Sequence, residues 1–179
     1  EKYVETCSAG FDLQVLNASG RGSYRFEGAG VVTDPEAVTA TRWDQVWLCI
    51  SATALRGPWL EPFLKAIGEA TLVAMQPGLD DRAFLAEQIA DDQIVQGMIS
   101  MVSYQAPLAG EDREPGVAYW FPPLSPSPFS GPNAERVQAV VDGLKAGKCP
   151  AKVHANASLE AARGSAILMP HLAALELEA

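Results

Sequence analysis

Asp44-Gln-Val-Trp-Leu-Cys-Ile-Ser51 is followed, beyond a helix-like segment, by Thr71-Leu-Val-Ala-Met-Gln-Pro-Gly-Leu-Asp-Asp81 and a second helix-like segment. Both quoted runs open short and almost continuously apolar, then end in small or polar residues. A strand covered on both faces needs that pattern, whereas a half-exposed strand alternates. Apolar runs that alternate with helical patterns describe βα units of a parallel sheet, and such folds bind ligands at the carboxyl-end loops. The strands near 46–50 and 72–75 are therefore expected to be parallel neighbours.

Working outward, Leu55–Ala70 places Trp59, Phe63 and Ile67 at four-residue intervals, which gives one apolar helix face to pack on the sheet despite Pro58 and Pro62. Asp80 or Asp81 is positioned to cap the next helix, with Phe84, Leu85 and Ile89 as its buried face. Ile94–Ala106 reads as one long strand or two short ones. Within the Pro-, Gly- and Ser-rich stretch 107–132, Val117-Ala-Tyr-Trp-Phe121 is rich in β-formers and is expected as an edge strand. Helical spacing returns over Asn133–Lys145 through Val137, Val140, Val141 and Leu144; Lys152-Val-His154 suits a last short strand, and a helix should begin near Ser158. Upstream, Phe11–Leu16 and Ser23–Glu27 alternate on either side of turn residues, the signature of a β-hairpin. Asp34 followed by Pro35 predicts a short capped helical turn.

The 179 residues suit one domain, or one and part of another, and 48% hydrophobic with 20% charged is a globular composition. No apolar run is long enough to span a bilayer, so a soluble protein is expected. Thirteen basic against 22 acidic side chains, a formal charge of −9, disfavour nucleic acid and anionic membrane as partners. Cys7, Cys49 and Cys149 are an odd set without CxxC spacing, and Cys49 falls in the buried-strand pattern. A reducing, cytoplasmic setting and no metal site are the expectation. Lys2–Cys7 reads as a helix end or surface loop without a signal segment, and His171–Ala179 keeps helical spacing without a terminator; further chain is expected at both ends.

Three local spellings, Thr33-Asp-Pro-Glu36, Gln76-Pro-Gly-Leu79 and Val95-Gln-Gly-Met98 before Ser/Tyr-rich residues, resemble the ketopantoate reductase family in order and spacing. The resemblance implies a Rossmann-like, mostly parallel α/β sheet whose first βα unit is missing. Residues 1–154 would form a partial NADP-binding domain, and 155–179 would open a helical C-terminal domain. It implies NADPH as cofactor and reduction of a 2-oxo acid to a 2-hydroxy acid, a step of pantothenate biosynthesis, and it leaves a homodimer open. The contrasting reading is a catalytically reduced Rossmann-like module that binds a nucleotide or a protein; a third is a purely structural α/β domain.

The glycine-rich phosphate loop is absent from this sequence. Gly28-Ala-Gly30 and Gly20-Arg-Gly22 each lack the third glycine and a preceding buried strand, so both read as turns. Following the resemblance, Lys2 falls where basic residues meet the adenosine 2′-phosphate, although a solvated terminal lysine fits as well. Ser51 and Thr53 end the first buried run where the family carries a lysine and then small residues. They are either cofactor-facing hydroxyls or ordinary strand-end residues. Gln76, Pro77 and Gly78 match a Gln-Asn-Gly turn on the nicotinamide side of the cleft. Pro77 there has neither the amide side chain nor a backbone N–H.

The family's long helix carries a lysine acid and two asparagines. If Pro170 matches its proline, those positions become Ala161, Ser165 and Met169. No lysine follows Lys152, so Arg163 and His171 are the cations left for the carboxyl-terminal helix. A guanidinium suits paired hydrogen bonds to a carboxylate but scarcely releases a proton, whereas an imidazole titrates near neutrality. Two isolated histidines without neighbouring ligands suggest neither a metal site nor a catalytic triad.

Overall fold

The structure is a computed structural model that describes residues 2–17, 22–28, 30–76 and 78–177. In chain order it begins with α1 (Lys2–Ala9), β1 (Phe11–Val15), β2 (Gly22–Phe26), α2 (Pro35–Ala40), β3 (Gln45–Leu48), α3 (Ala52–Leu55) and α4 (Leu60–Ala66). Next come β4 (Thr71–Ala74), α5 (Asp81–Ala86), β5 (Ile94–Gly97), β6 (Val102–Ala106) and β7 (Gly116–Trp120). The chain closes with β8 (Ser127–Ser130), α6 (Ala134–Ala146), β9 (Ala151–Val153) and α7 (Ala157–Leu177). These elements form two compact units, Glu1–Val38 with Ser100–Pro126, and Thr39–Ile99 with Ser127–Ala179. Among the described residues no helix is long and apolar enough to cross a membrane.

The larger unit carries a five-stranded sheet of order β3-β4-β5-β8-β9. β3, β4 and β5 run parallel, β8 is antiparallel to β5, and β9 is parallel to β8. The expected pairing of the two apolar runs is present, with Val46 opposite Leu72 and Leu48 opposite Ala74. All four residues of β4 are buried because helices cover both its faces. On one face Leu48, Leu72, Ala74 and Ile94 pack with Leu55, Leu60, Leu64 and Leu85. On the other, Val73, Val95 and Phe129 pack with Val137, Val140 and Val141 of α6.

The segment 55–70 departs from the expected single helix. Pro58 has no N–H to continue a helix, so α3 ends and α4 starts afresh, with Pro62 tolerated in its first turn where no intrahelical donor is needed. The buried stripe is Leu60, Leu64 and Ile67 rather than one led by Trp59, which is 38% exposed. The Trp59 indole instead donates to Ala54 O at 2.9 Å and closes the turn between the two helices. Cys49 is likewise not inside a buried strand but exposed just past β3.

The smaller unit carries a four-stranded sheet of order β2-β1-β7-β6. The hairpin of β1 and β2 is antiparallel as expected, with Leu13 opposite Tyr24; residues 18–21 of its turn lie outside the described residues. β7 is not an edge strand: it runs parallel to β1 on one side and antiparallel to β6 on the other, and Ala118 at its centre is fully buried. β6 directly precedes β7, but β1 is about 100 positions away, so local pattern had no means of showing the pairing that makes β7 interior. The reading of Ile94–Ala106 as two strands holds, and the two belong to different sheets. Asp34 Oδ1 accepts from Glu36 N at 3.0 Å, the cap expected ahead of Pro35.

One carboxylate organises the connection from β6 to β7. Glu111 accepts from Leu108 N at 3.0 Å, from the Tyr104 hydroxyl at 2.8 Å and from Arg113 Nε at 2.6 Å. These donors, with the Leu108 amide foremost, lower its pKa from 4.5 to about 2. A depressed carboxylate contributes stability that is present above its unfolded pKa and is lost as pH falls through the folded one. The loop should therefore loosen between pH 4.5 and about 2. The Leu108 amide resonance is expected to titrate with a midpoint near the lower end of that window, and Glu111→Gln should abolish the transition. A midpoint near 4.5 would contradict this reading.

Candidate site at the carboxyl ends of β3 and β4

The carboxyl ends of β3 and β4 are tied together by one buried side chain. Gln76 is 1% exposed, and its Nε2 donates to Leu48 O at 2.8 Å and to Ile50 O at 2.9 Å. A carboxamide has the two donors needed to satisfy two strand-end carbonyls that the ladder leaves open. Gln96 of β5 repeats the device, its Nε2 donating to Gln76 O at 3.3 Å. Both glutamines leave Oε1 buried and without a protein partner.

Loop shape at this end comes from Asp81. Its carboxylate accepts from Gly78 N at 3.1 Å and from Arg56 at 2.8 Å, and its side chain is 3% exposed. The fit is close enough that a Cβ on residue 78 would overlap the carboxylate, which explains glycine there. Arg56, 44% exposed, also donates to Ala52 O and lies 5.0 Å over the Phe84 ring. It places a positive charge beside the Gly78 turn, at the end of the sheet that also carries the Ser51 and Thr53 hydroxyls.

Of the residues singled out from sequence, Ser51, Thr53, Gln76 and Gly78 lie at this one end of the sheet. Ser51 Oγ accepts from Ala54 N at 3.2 Å and caps α3, while Thr53 is exposed. Pro77 lies outside the described residues. Lys2 is the first residue of α1 in the smaller unit. Arg163 is exposed on α7, and His171 follows Pro170 within the same helix. Arg56 was not marked by the sequence, and Gln96 was marked only within the Val95–Met98 spelling. Asp81 was expected only as one of two possible caps of α5; Asp80 at the cap position makes no side-chain cap bond, and the Asp81 carboxylate serves Gly78 N and Arg56 instead. Among the described residues no three His, Cys, Asp or Glu side chains gather as a metal-ligand set.

The Ser51 and Thr53 hydroxyls, the Arg56 guanidinium and the tightly turned Gly78 thus stand at one end of the sheet. The glycine-rich spelling of a pyrophosphate loop does not occur in the sequence.

No family model matches the chain, and no curated protein matches its sequence. Solved structures do match. The 2-dehydropantoate 2-reductase of Geobacter metallireducens superposes with a TM-score of 0.54 at 14% identity, over 80% of this chain and 44% of that one. A PanE/ApbA family ketopantoate reductase of Ralstonia eutropha gives 0.53 at 16% identity, over 88% and 46%. D-mandelate dehydrogenase, solved as a ternary structure with NADH and anilino(oxo)acetate, gives 0.55 at 12% identity, over 92% and 50%. The chain thus spans about half the length of these structures. At such identities the likeness establishes the fold: the chain has the Rossmann-like α/β architecture of ketopantoate reductases, with the helical part of that architecture only partly covered.

Proposed function

We propose that the chain is part of an NADPH-dependent reductase that converts a 2-oxo acid to a 2-hydroxy acid. The observation carrying this reading is the strand-end cluster of Ser51, Thr53, Gln76, Gly78 and Arg56 at the carboxyl ends of parallel strands, the end where this fold binds ligands. Likeness to structures of 2-dehydropantoate 2-reductases and D-mandelate dehydrogenase supports it. NADPH, when bound, supplies the hydride. Ser51 and Thr53 would face its nicotinamide side, a wall that the buried Gln76 and the Gly78 turn shape. Arg163 would orient the substrate carboxylate by paired hydrogen bonds, and His171 would donate the proton to the reduced oxygen.

Alanine at each of the last two positions, assayed by NADPH oxidation with ketopantoate and related 2-oxo acids, tests these roles. KM should rise about tenfold or more for Arg163→Ala, and kcat should fall about 100-fold for His171→Ala. Unchanged kinetics in both would mean that α7 is not the catalytic wall. The second reading, a module that binds nucleotide or protein without reducing anything, draws on Ser51, whose hydroxyl already caps α3, and on Asp81, which neutralises Arg56. Residues 1–179 by themselves should bind NADPH weakly because they lack the phosphate cradle. Calorimetric titration giving a dissociation constant below about 1 μM would contradict that expectation.

A further inference from the structure

The four-stranded sheet of the smaller unit has two edges, and they are guarded differently. Its order β2-β1-β7-β6 leaves β2 and β6 with one strand neighbour each. A sheet edge presents backbone N–H and C=O groups outside the ladder, and proteins ordinarily protect it with charge, proline or a covering segment. β2 carries Arg25, which bonds Asp12 and Ala9 O. β6 has no such guard: Met101-Val-Ser-Tyr-Gln-Ala106 contains no charged residue and no proline, and Met101, Val102, Ser103 and Gln105 are exposed. Among the described residues, the side chains of Ser103 and Gln105 make no hydrogen bond.

The strand is also complementary to itself. If two β6 strands pair antiparallel about a two-fold axis at Tyr104, Val102 stands opposite Ala106 of the second copy, and Ser103 opposite its Gln105. Alternation puts Val102, Tyr104 and Ala106 on one face and Ser103 and Gln105 on the other. β7 extends the first face, with Trp120 beside Val102 and Gly116 beside Ala106. A row of the joined sheet then runs Trp120, Val102, Ala106 and Gly116, two large side chains from one copy beside two small residues of the other. Val102 is 56% exposed and Trp120 36% exposed in the single chain, so the contact removes apolar surface from water. On the opposite face a serine hydroxyl meets a carboxamide, a donor-to-acceptor match that the symmetry makes twice.

Charge favours a second copy over another partner. The chain carries a formal charge of −9, so a basic partner is drawn to carboxylates, and β6 has none. The one carboxylate bonded to a β6 side chain among the described residues, Glu111, is already paired with Arg113. Two copies of like net charge meet at least cost through a neutral surface, which this edge supplies. Pro107 has no N–H and ends the pairing at Ala106.

We propose that β6 is a self-association edge, through which two copies of this chain pair antiparallel about Tyr104 and join their four-stranded sheets into one of eight. A five-residue strand pair is a small interface, so the association is weak, with Kd on the order of 10–100 μM. It requires neither coenzyme nor substrate, and its test uses neither.

Sedimentation equilibrium of the 179-residue chain from about 5 to about 500 μM should show a reversible dimer. A charge swap fixes the contact. Ser103→Lys combined with Gln105→Lys sets like charges opposite each other at two places, and Ser103→Glu combined with Gln105→Glu does the same with the other sign. Each double variant by itself should therefore dimerise at least about tenfold more weakly than the parent. Mixed in equal amounts, the two should form a heterodimer at least as tight as the parent dimer, since every charge then faces its opposite; that recovery also shows that both variants are folded. A monomer over the whole concentration range overturns the proposal. So does a dimer that persists in either double variant, which would place the contact on another surface, or a mixture that associates no better than its components.

Discussion

Asp81→Ala is expected to destabilise the larger unit by about 3 kcal/mol, because it removes a buried carboxylate that serves two partners from different loops. The carboxylate is 3% exposed, holds Gly78 N–H at 3.1 Å and holds Arg56 at 2.8 Å. Its loss strands an amide and a half-exposed guanidinium and opens the turn between β4 and α5. Arg56→Ala should cost far less, about 1 kcal/mol, since that partner is 44% exposed and water replaces what it loses. The asymmetry separates a turn-forming role for Asp81 from a simple ion pair. Urea unfolding of both variants, with amide exchange at Gly78, makes the comparison. Equal effects in the two variants would mean that the pair, rather than the turn, is what Asp81 stabilises.

Phe129→Ala should be the most damaging core substitution, at about 4 kcal/mol, through lost burial and the cavity left behind. Its ring is fully buried among Val73, Val95 and the α6 valines, with the Trp47 ring edge-on at 6.1 Å. The same ring lies against the backbone of Gly97, where a Cβ would overlap it. Gly97→Ala should therefore destabilise by about 2 kcal/mol on its own. In the double variant the added methyl occupies space the ring has vacated, so the combined loss should fall short of the sum by about 1 kcal/mol or more. Strict additivity would show that Gly97 is constrained by something other than Phe129.

Both substitutions bear on how far this protein is readable from its residues. The parallel pair β3 and β4, the hairpin of β1 and β2, the cap at Asp34 and the valine stripe of α6 were all legible, because each depends on side-chain periodicity or capping chemistry confined to a short window. The break at Pro58 was written in the sequence too, as the absence of an N–H. An amphipathic spacing laid across it suggested a longer helix. Trp59 then looked like a core residue, although its indole N–H had a carbonyl to find at the turn surface.

Interior placement of β7 was decided only by tertiary structure, since β6 is its neighbour in the chain but its other partner, β1, lies about 100 positions upstream. The candidate site divides the same way. Ser51, Thr53, Gln76 and Gly78 were marked by their place at the ends of apolar runs, a local property. Arg56 joined them through Asp81, 25 positions away, and Gln96 through the Gln76 carbonyl, 20 positions away. A sequence window carries the period of a strand or helix, but the partner of a buried polar group is whatever the fold brings within about 3 Å, and that choice is made by packing.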